Sequence, residues 1–142
     1  MVLSYKVDLV GVNGDVRVAM ATDILREVWP SIAHVTVDAY TDYSKLTPGV
    51  QTAQRYLREL GQRLRSGHRG DHWMAVSIKV HDDEEWAALV EYAPWSIHVE
   101  AVGSDGTEVY VAHDGAQGVA FNRITPAVLA LANRHGLVIE DY

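Results

Sequence analysis

His98 and Glu100 stand two residues apart in the run WSIHVEAVGSDGTEVYVAH, residues 95–113, which also holds Tyr110. An imidazole beside a carboxylate can serve as a general base. If the run folds as a hairpin, Glu100 and Tyr110 are cross-strand neighbours, with His98 two residues along the same face. The trio has no specificity as a motif, because ordinary solvated sheets carry the same residue types. As a catalytic set, His98, Glu100 and Tyr110 form an alternative reading.

Other residue clusters suggest different chemistry. His68 and His72 are four apart, the spacing that puts two zinc ligands on one face of a helix. Gly67 and Gly70 interrupt any helix there, and no His-Glu-x-x-His pattern surrounds the pair, so a solvated loop is the plainer reading. His81-Asp82-Asp83-Glu84-Glu85 has the ligand types for a divalent metal. It also opens a helix, where carboxylates cap free N–H groups and suit the positive dipole end, and capping is the preferred reading. Arg55, Arg58 and Arg65 fall on the exposed stripe of a second helix and could hold phosphate or an acidic partner. Cations near a helix C-terminus are ordinary helix chemistry. No Gly-x-Ser-x-Gly elbow is present, and Val10-Gly11-Val12-Asn13-Gly14 lacks the residues of a dinucleotide or P-loop turn. No cofactor is expected.

The elements that position these residues follow from hydrophobic period. Residues 2–10 alternate, with Leu3, Tyr5, Val7 and Leu9 on one side. Val16, Ala19, Met20, Ile24 and Val28 predict a helix stopped at Pro30. Residues 33–40 return to period two. Thr47 and Pro48 cap and start a helix that buries Val50, Ala53, Leu57, Leu60 and Leu64. A strand is expected over 72–80, with Met74, Val76, Ile78 and Val80 inward and Trp73 outward. A short helix spans Asp83 to Tyr92. The hairpin follows, then a short strand at Val119–Phe121, a helix after Thr125-Pro126, and an edge strand at Leu137–Ile139.

At the hairpin tip, Ser104-Asp105-Gly106 suits a three-residue loop with Gly106 left-handed. That register sets Gly103 opposite Thr107, Ala101 opposite Val109, Val99 opposite Val111 and Ile97 opposite His113. It turns Trp95, Ile97, Val99, Ala101, Val109 and Val111 to one face, and His98, Glu100, Val102, Glu108, Tyr110 and Ala112 to the other.

Wholly parallel sheets read as unbroken apolar runs, whereas these strands carry polar residues at alternate positions. The expected fold is therefore α+β: a single globular domain over residues 1–142, with a mixed, mainly antiparallel sheet and about four helices packed chiefly on one face. The other face would gather His34, Asp38, Tyr40, Trp73, His98, Glu100, Glu108 and Tyr110, while Trp29, Trp86 and Trp95 pack in the core or under loops. Aromatic anchors among carboxylates are the composition of a protein-recognition surface.

Composition narrows the function. A chain of 142 residues, 48% hydrophobic and 22% charged, is neither disordered nor too short for a core. A net charge of −7 argues against general affinity for nucleic acid or anionic membranes. Without cysteine there is no disulfide framework and no thiolate site. No window approaches a membrane span and the N-terminus lacks signal-peptide character, so a cytoplasmic protein is expected. The preferred expectation is a non-enzymatic acidic protein that engages a basic protein partner through Tyr40, Trp73, His98, Glu100, Glu108 and Tyr110. An immunity- or antitoxin-type inhibitor of a basic toxin or nuclease fits that character. A small enzyme or ligand-binding domain, and a homodimer or larger homo-oligomer that hides the same face, are the alternatives.

Overall fold

The computed structural model of the chain describes residues 3–65 and 70–142. Seven strands form one sheet: β1 (Tyr5–Asp8), β2 (His34–Val37), β3 (Val76–Ile78), β4 (His98–Val102), β5 (Glu108–His113), β6 (Gly118–Phe121) and β7 (Glu140–Asp141). Their order is β3-β2-β4-β5-β6-β1-β7, and every neighbouring pair is antiparallel. Four helices, α1 (Gly14–Val28), α2 (Pro48–Leu64), α3 (Asp83–Tyr92) and α4 (Pro126–Arg134), connect strands that follow in sequence. The fold is α+β, as the alternation of polar residues predicts. Among the described residues no helix is long and apolar enough to cross a membrane.

Cross-strand register explains the layering. Tyr5, Phe121, Tyr110, Ala101, Val35 and Ile78 form one row across six strands, and Val7, Val119, Ala112, Val99, Val37 and Val76 form the next. All but the half-buried Tyr5 are core residues. They meet Met20, Ile24, Leu25, Leu57, Leu89 and Val128 from the helices. A strand's side chains alternate between faces, so the intervening residues must lie on the reverse side. Those rows are Lys6, Ala120, Val111, Glu100, Thr36 and Ser77, and Asp8, Gly118, His113 and His98.

Helix starts follow local chemistry. The Thr47 hydroxyl accepts from Val50 N at 3.5 Å and the Thr125 hydroxyl from Val128 N at 3.3 Å, each ahead of a proline at the first turn. Asp82 caps α3 by accepting from Glu84 N and Glu85 N. Its carboxylate thus serves the helix end, and Glu85 Oε1 accepts from Lys79 N at 3.1 Å.

Several expectations need correction. The strand predicted over 72–80 is confined to Val76–Ile78. Residues 72–75 are turns, and Met74 is exposed rather than inward. Two bonds divert this segment from the ladder: Asp38 Oδ1 accepts from Ala75 N at 2.7 Å, and Asp71 Oδ1 from Trp73 N at 2.9 Å. Ala75 stands at φ 49°. Leu64, at the C-terminal end of α2, is exposed rather than buried. The edge strand forms at Glu140–Asp141, not at Leu137–Ile139. Trp29 is partly exposed, its indole N–H donating to Val80 O at 3.3 Å.

A candidate recognition trough on the open sheet face

The hairpin that carries the candidate site begins as predicted. Gly106 N donates to Gly103 O, Gly103 N donates to Thr107 O, and Gly106 lies at φ 81°. Asp105 accepts from both the amide and the hydroxyl of Thr107, and these bonds hold its carboxyl below the usual carboxylate range. Val102 faces Glu108, in agreement with that register.

One residue further the ladder slips. Ala101 pairs with Tyr110 instead of Val109, so Val109 is the extra residue of a β-bulge. Both Val109 and Tyr110 are then fully buried. Beyond the bulge every β5 side chain is on the face opposite to that expected. Val111 and His113 join the outer side, and Ala112 moves inside. The predicted pairings of Val99 with Val111 and Ile97 with His113 are thus wrong; Val99 faces Ala112 and His98 faces His113. The physical reason is packing: a phenol ring in the core removes far more apolar surface from water than one on a solvated face. Burial raises the Tyr110 hydroxyl's pKa well above that of a free phenol.

The His98/Glu100/Tyr110 trio is therefore dispersed. Tyr110 points to the helices, its hydroxyl 3.4 Å from Ala21 O, while His98 and Glu100 stay outside as predicted. His98 gains as a neighbour His113, which strict alternation would place on the other face. Its Nδ1 lies 3.2 Å from His113 Nδ1, and its Nε2 lies 3.7 Å from Glu100 Oε2. Finding His113 from sequence would have required placing the bulge, and two adjacent apolar-faced residues, Val109-Tyr110, are its only signal.

These residues line a trough of ≈ 750 Å³ that runs over β4, β5, β6 and β1. Its middle is floored by Val111, Gly118 and Ala120. Asp8, Glu100, Glu108, Asp114 and Glu140 supply carboxylates around it, with Lys6 as the one lysine or arginine among the described residues of the lining. Lys6 Nζ is 3.8 Å from Glu140 Oε2, so the lining is acidic overall.

Tyr40 and Trp73, predicted to share this face, do not line the trough. They meet each other at the β2–β3 end, with ring centroids 5.7 Å apart. Arg58 of α2 lies 4.1 Å from the Trp73 ring centroid and donates to Ala39 O at 2.9 Å. The Tyr40 hydroxyl donates to the Asp71 carboxylate. This bond raises the tyrosine's pKa and is the main cause that lowers the aspartate's. The expected recognition face is thus two separate patches, and Asp38 is buried between strands rather than presented.

The proposed anion stripe is also partly committed. Arg58 is held as above, and Arg65 donates to Asp71 O and Met74 O at 3.1 and 3.3 Å. Arg55 is exposed and lines a shallow hollow with Arg58, Glu59 and Trp73. His68 lies outside the described residues, so the His68/His72 pair is not described as a site. Among the described residues no group of three or more histidines, aspartates or glutamates is arranged to hold a metal ion.

A further arginine, Arg17 of α1, is buried. It donates to Pro94 O at 2.6 Å and to Gly115 O, and lies 4.8 Å from the ring centroids of both Tyr43 and Trp95. This clamp ties the β5–β6 connection, next to His113, to α1 and to the turn after α3. No local pattern in the sequence marks Arg17 for burial. Compared with known proteins, the chain has no significant match to a protein-family model, to a curated protein or to a solved structure.

Proposed function

We propose that this chain is a non-enzymatic binding protein of the cytoplasm, whose open sheet face takes a basic segment of a protein partner. One observation carries the reading: among the described residues, carboxylates from Asp8, Glu100, Glu108, Asp114 and Glu140 surround a trough that holds Lys6 as its one lysine and has a small apolar floor. Carboxylates around such a surface steer a cationic partner and set the salt dependence of its association. Gly118 and Ala120 leave room for a partner's backbone or an aliphatic stem to approach the sheet. An immunity- or antitoxin-type inhibitor, covering the basic active site of a toxin or nuclease, is the form of this reading that suits the net charge of −7. With Tyr110 facing the helices, the catalytic alternative loses one of its three members.

The test compares wild type with the variant Glu100→Lys/Glu108→Lys/Glu140→Lys in capture from the native host, with cross-links mapped by mass spectrometry. The expected result is a partner of high pI, cross-linked around the trough, captured less as salt rises and lost by the variant. Retention by the variant, or cross-links confined to the Tyr40–Trp73 end, refutes the trough as the docking surface. Self-association that buries the trough, seen by light scattering, would replace the heterologous partner with a second copy of the chain.

A further inference from the structure

His98 and His113 face each other on neighbouring strands without sharing a backbone hydrogen bond. The adjacent pair, Ile97 and Asp114, is the bonded one, Asp114 N donating to Ile97 O at 3.0 Å, so in the alternation of an antiparallel ladder His98 and His113 stand at a non-hydrogen-bonded position. Positions of this kind bring facing Cα atoms to about 4.5 Å, the closest approach within an antiparallel ladder. The rings follow, with centroids 5.1 Å apart, planes inclined by 35°, and the two Nδ1 atoms 3.2 Å apart.

Two imidazole lone pairs repel at that distance unless something positive lies between them. A proton shared as N–H···N is one solution. A metal ion is the other. Two nitrogens bound at about 2.0–2.1 Å to a tetrahedral centre are roughly 3.3–3.4 Å apart, close to the separation found. The far nitrogen of His98, Nε2, is 3.7 Å from Glu100 Oε2. That is an ion-pair contact, longer than a hydrogen bond; a small rotation of the part-exposed Glu100 side chain would bring its carboxylate onto the second ring nitrogen, the arrangement that draws the proton to that side and frees the other lone pair for a metal. The carboxylates around the trough add a negative potential that concentrates cations there.

We propose that His98 and His113 form a two-imidazole site for a divalent transition-metal ion, copper, nickel or zinc, on the open sheet face. Water fills the remaining coordination positions. Imidazole ligands select these ions over magnesium and calcium, which take oxygen donors. Both ligands stand on strands inside the sheet, so binding needs a ring rotation at most and no backbone movement. Glu100 is a positioning residue for His98.

The experiment is calorimetric titration of the purified chain with Cu²⁺, Ni²⁺, Zn²⁺ and Mg²⁺ in a non-coordinating buffer. Side-chain histidine NMR with Zn²⁺ runs in parallel. One saturable ion per chain is expected, copper tighter than nickel and magnesium silent, with the His98 and His113 imidazole resonances moving and those of His34 and His81 still. Glu100→Gln should weaken binding roughly 10-fold or more, and His98→Asn or His113→Asn should weaken it further. Two results overturn the site: no saturable binding by any of the three transition ions, which leaves a hydrogen-bonded imidazole pair only, or binding that survives both asparagine variants. Because both side chains face solvent, the variants should melt as wild type does. The wild-type NMR shifts decide the question even if they do not.

Discussion

Replacing Tyr110 tests the bulge on which the whole site geometry rests. Its ring is fully buried, in a row with Phe121 and Ala101, and the cavity left by alanine would be walled by a rigid sheet and by α1. Large-to-small aromatic substitutions in such surroundings cost about 3–5 kcal/mol. Against a typical domain stability of roughly 5–15 kcal/mol, Tyr110→Ala should remove about a fifth of the total or more. The melting temperature should fall by roughly 6–20 °C. Tyr110→Phe should behave differently. The lost hydroxyl is 3.4 Å from Ala21 O, too long for a strong bond, so the cost near neutral pH should stay under about 1 kcal/mol.

Above pH 10 the order of the wild type and the phenylalanine variant should reverse. Burial raises the Tyr110 pKa, so its neutral ring contributes stability that is complete below the ordinary tyrosine value and lost as pH rises past it. The loss is about 1.4 kcal/mol per pH unit, and Tyr110→Phe abolishes it. Urea unfolding followed by tryptophan fluorescence at neutral and alkaline pH measures both effects. A Tyr110→Ala cost below about 0.5 kcal/mol, the range of solvated surface positions, would refute the buried placing of the ring. So would a Tyr110 phenol that titrates normally while the protein is folded.

Gly61 gives a second stability test with an inverted sign. Alanine in mid-helix normally gains about 1 kcal/mol over glycine, but a Cβ at Gly61 would meet the His72 carbonyl oxygen at 2.1 Å and Val76 Cγ2 at 2.9 Å. Overpacking against backbone, which no rotamer relieves, costs up to about 3 kcal/mol, so Gly61→Ala should lose roughly 2 kcal/mol net in denaturant unfolding; a stabilised variant would contradict the packing of α2 on the 72–76 turn. Tyr40→Phe should lower stability at neutral pH, and the difference from wild type should close in acid. The Tyr40 hydrogen bond is the main cause holding the Asp71 carboxyl below its ordinary 3.8, and a lowered carboxylate stabilises above the unfolded value and loses that contribution as pH falls through the folded one. The variant's acid-unfolding curve should therefore be flatter than wild type below about pH 4, and carboxyl NMR should show Asp71 titrating closer to 3.8; an unchanged Asp71 titration would contradict the bond.

Much of the architecture was legible in the residues themselves. Thr47-Pro48 and Thr125-Pro126 announced α2 and α4 because capping is local: the hydroxyl that satisfies the first turn belongs to the chain's own neighbour three residues away. Period-two alternation identified β1, β2 and β4 and the outward placing of His98 and Glu100. It also indicated antiparallel pairing, since a strand with one wet face cannot be covered on both sides. Ser104-Asp105-Gly106 defined its turn, for only three residues and one left-handed glycine were involved.

Tertiary structure decided the rest. Whether β5 keeps its alternation or inserts Val109 as a bulge depends on what the ring of Tyr110 meets across the sheet, and period alone cannot express that. The separation of Tyr40 and Trp73 from the trough depends on Arg58, Asp38 and Asp71, which are brought to one end by α2 and by the turn before β3. Arg17 is a charged residue whose burial requires the Pro94 and Gly115 carbonyls, distant in sequence. Local propensity and hydrogen bonds reach about four residues along the chain, and they set the elements. The facing of His98 and His113 comes from a register that only the packed core could select, because only there does one residue's slip exchange a buried ring for a solvated one.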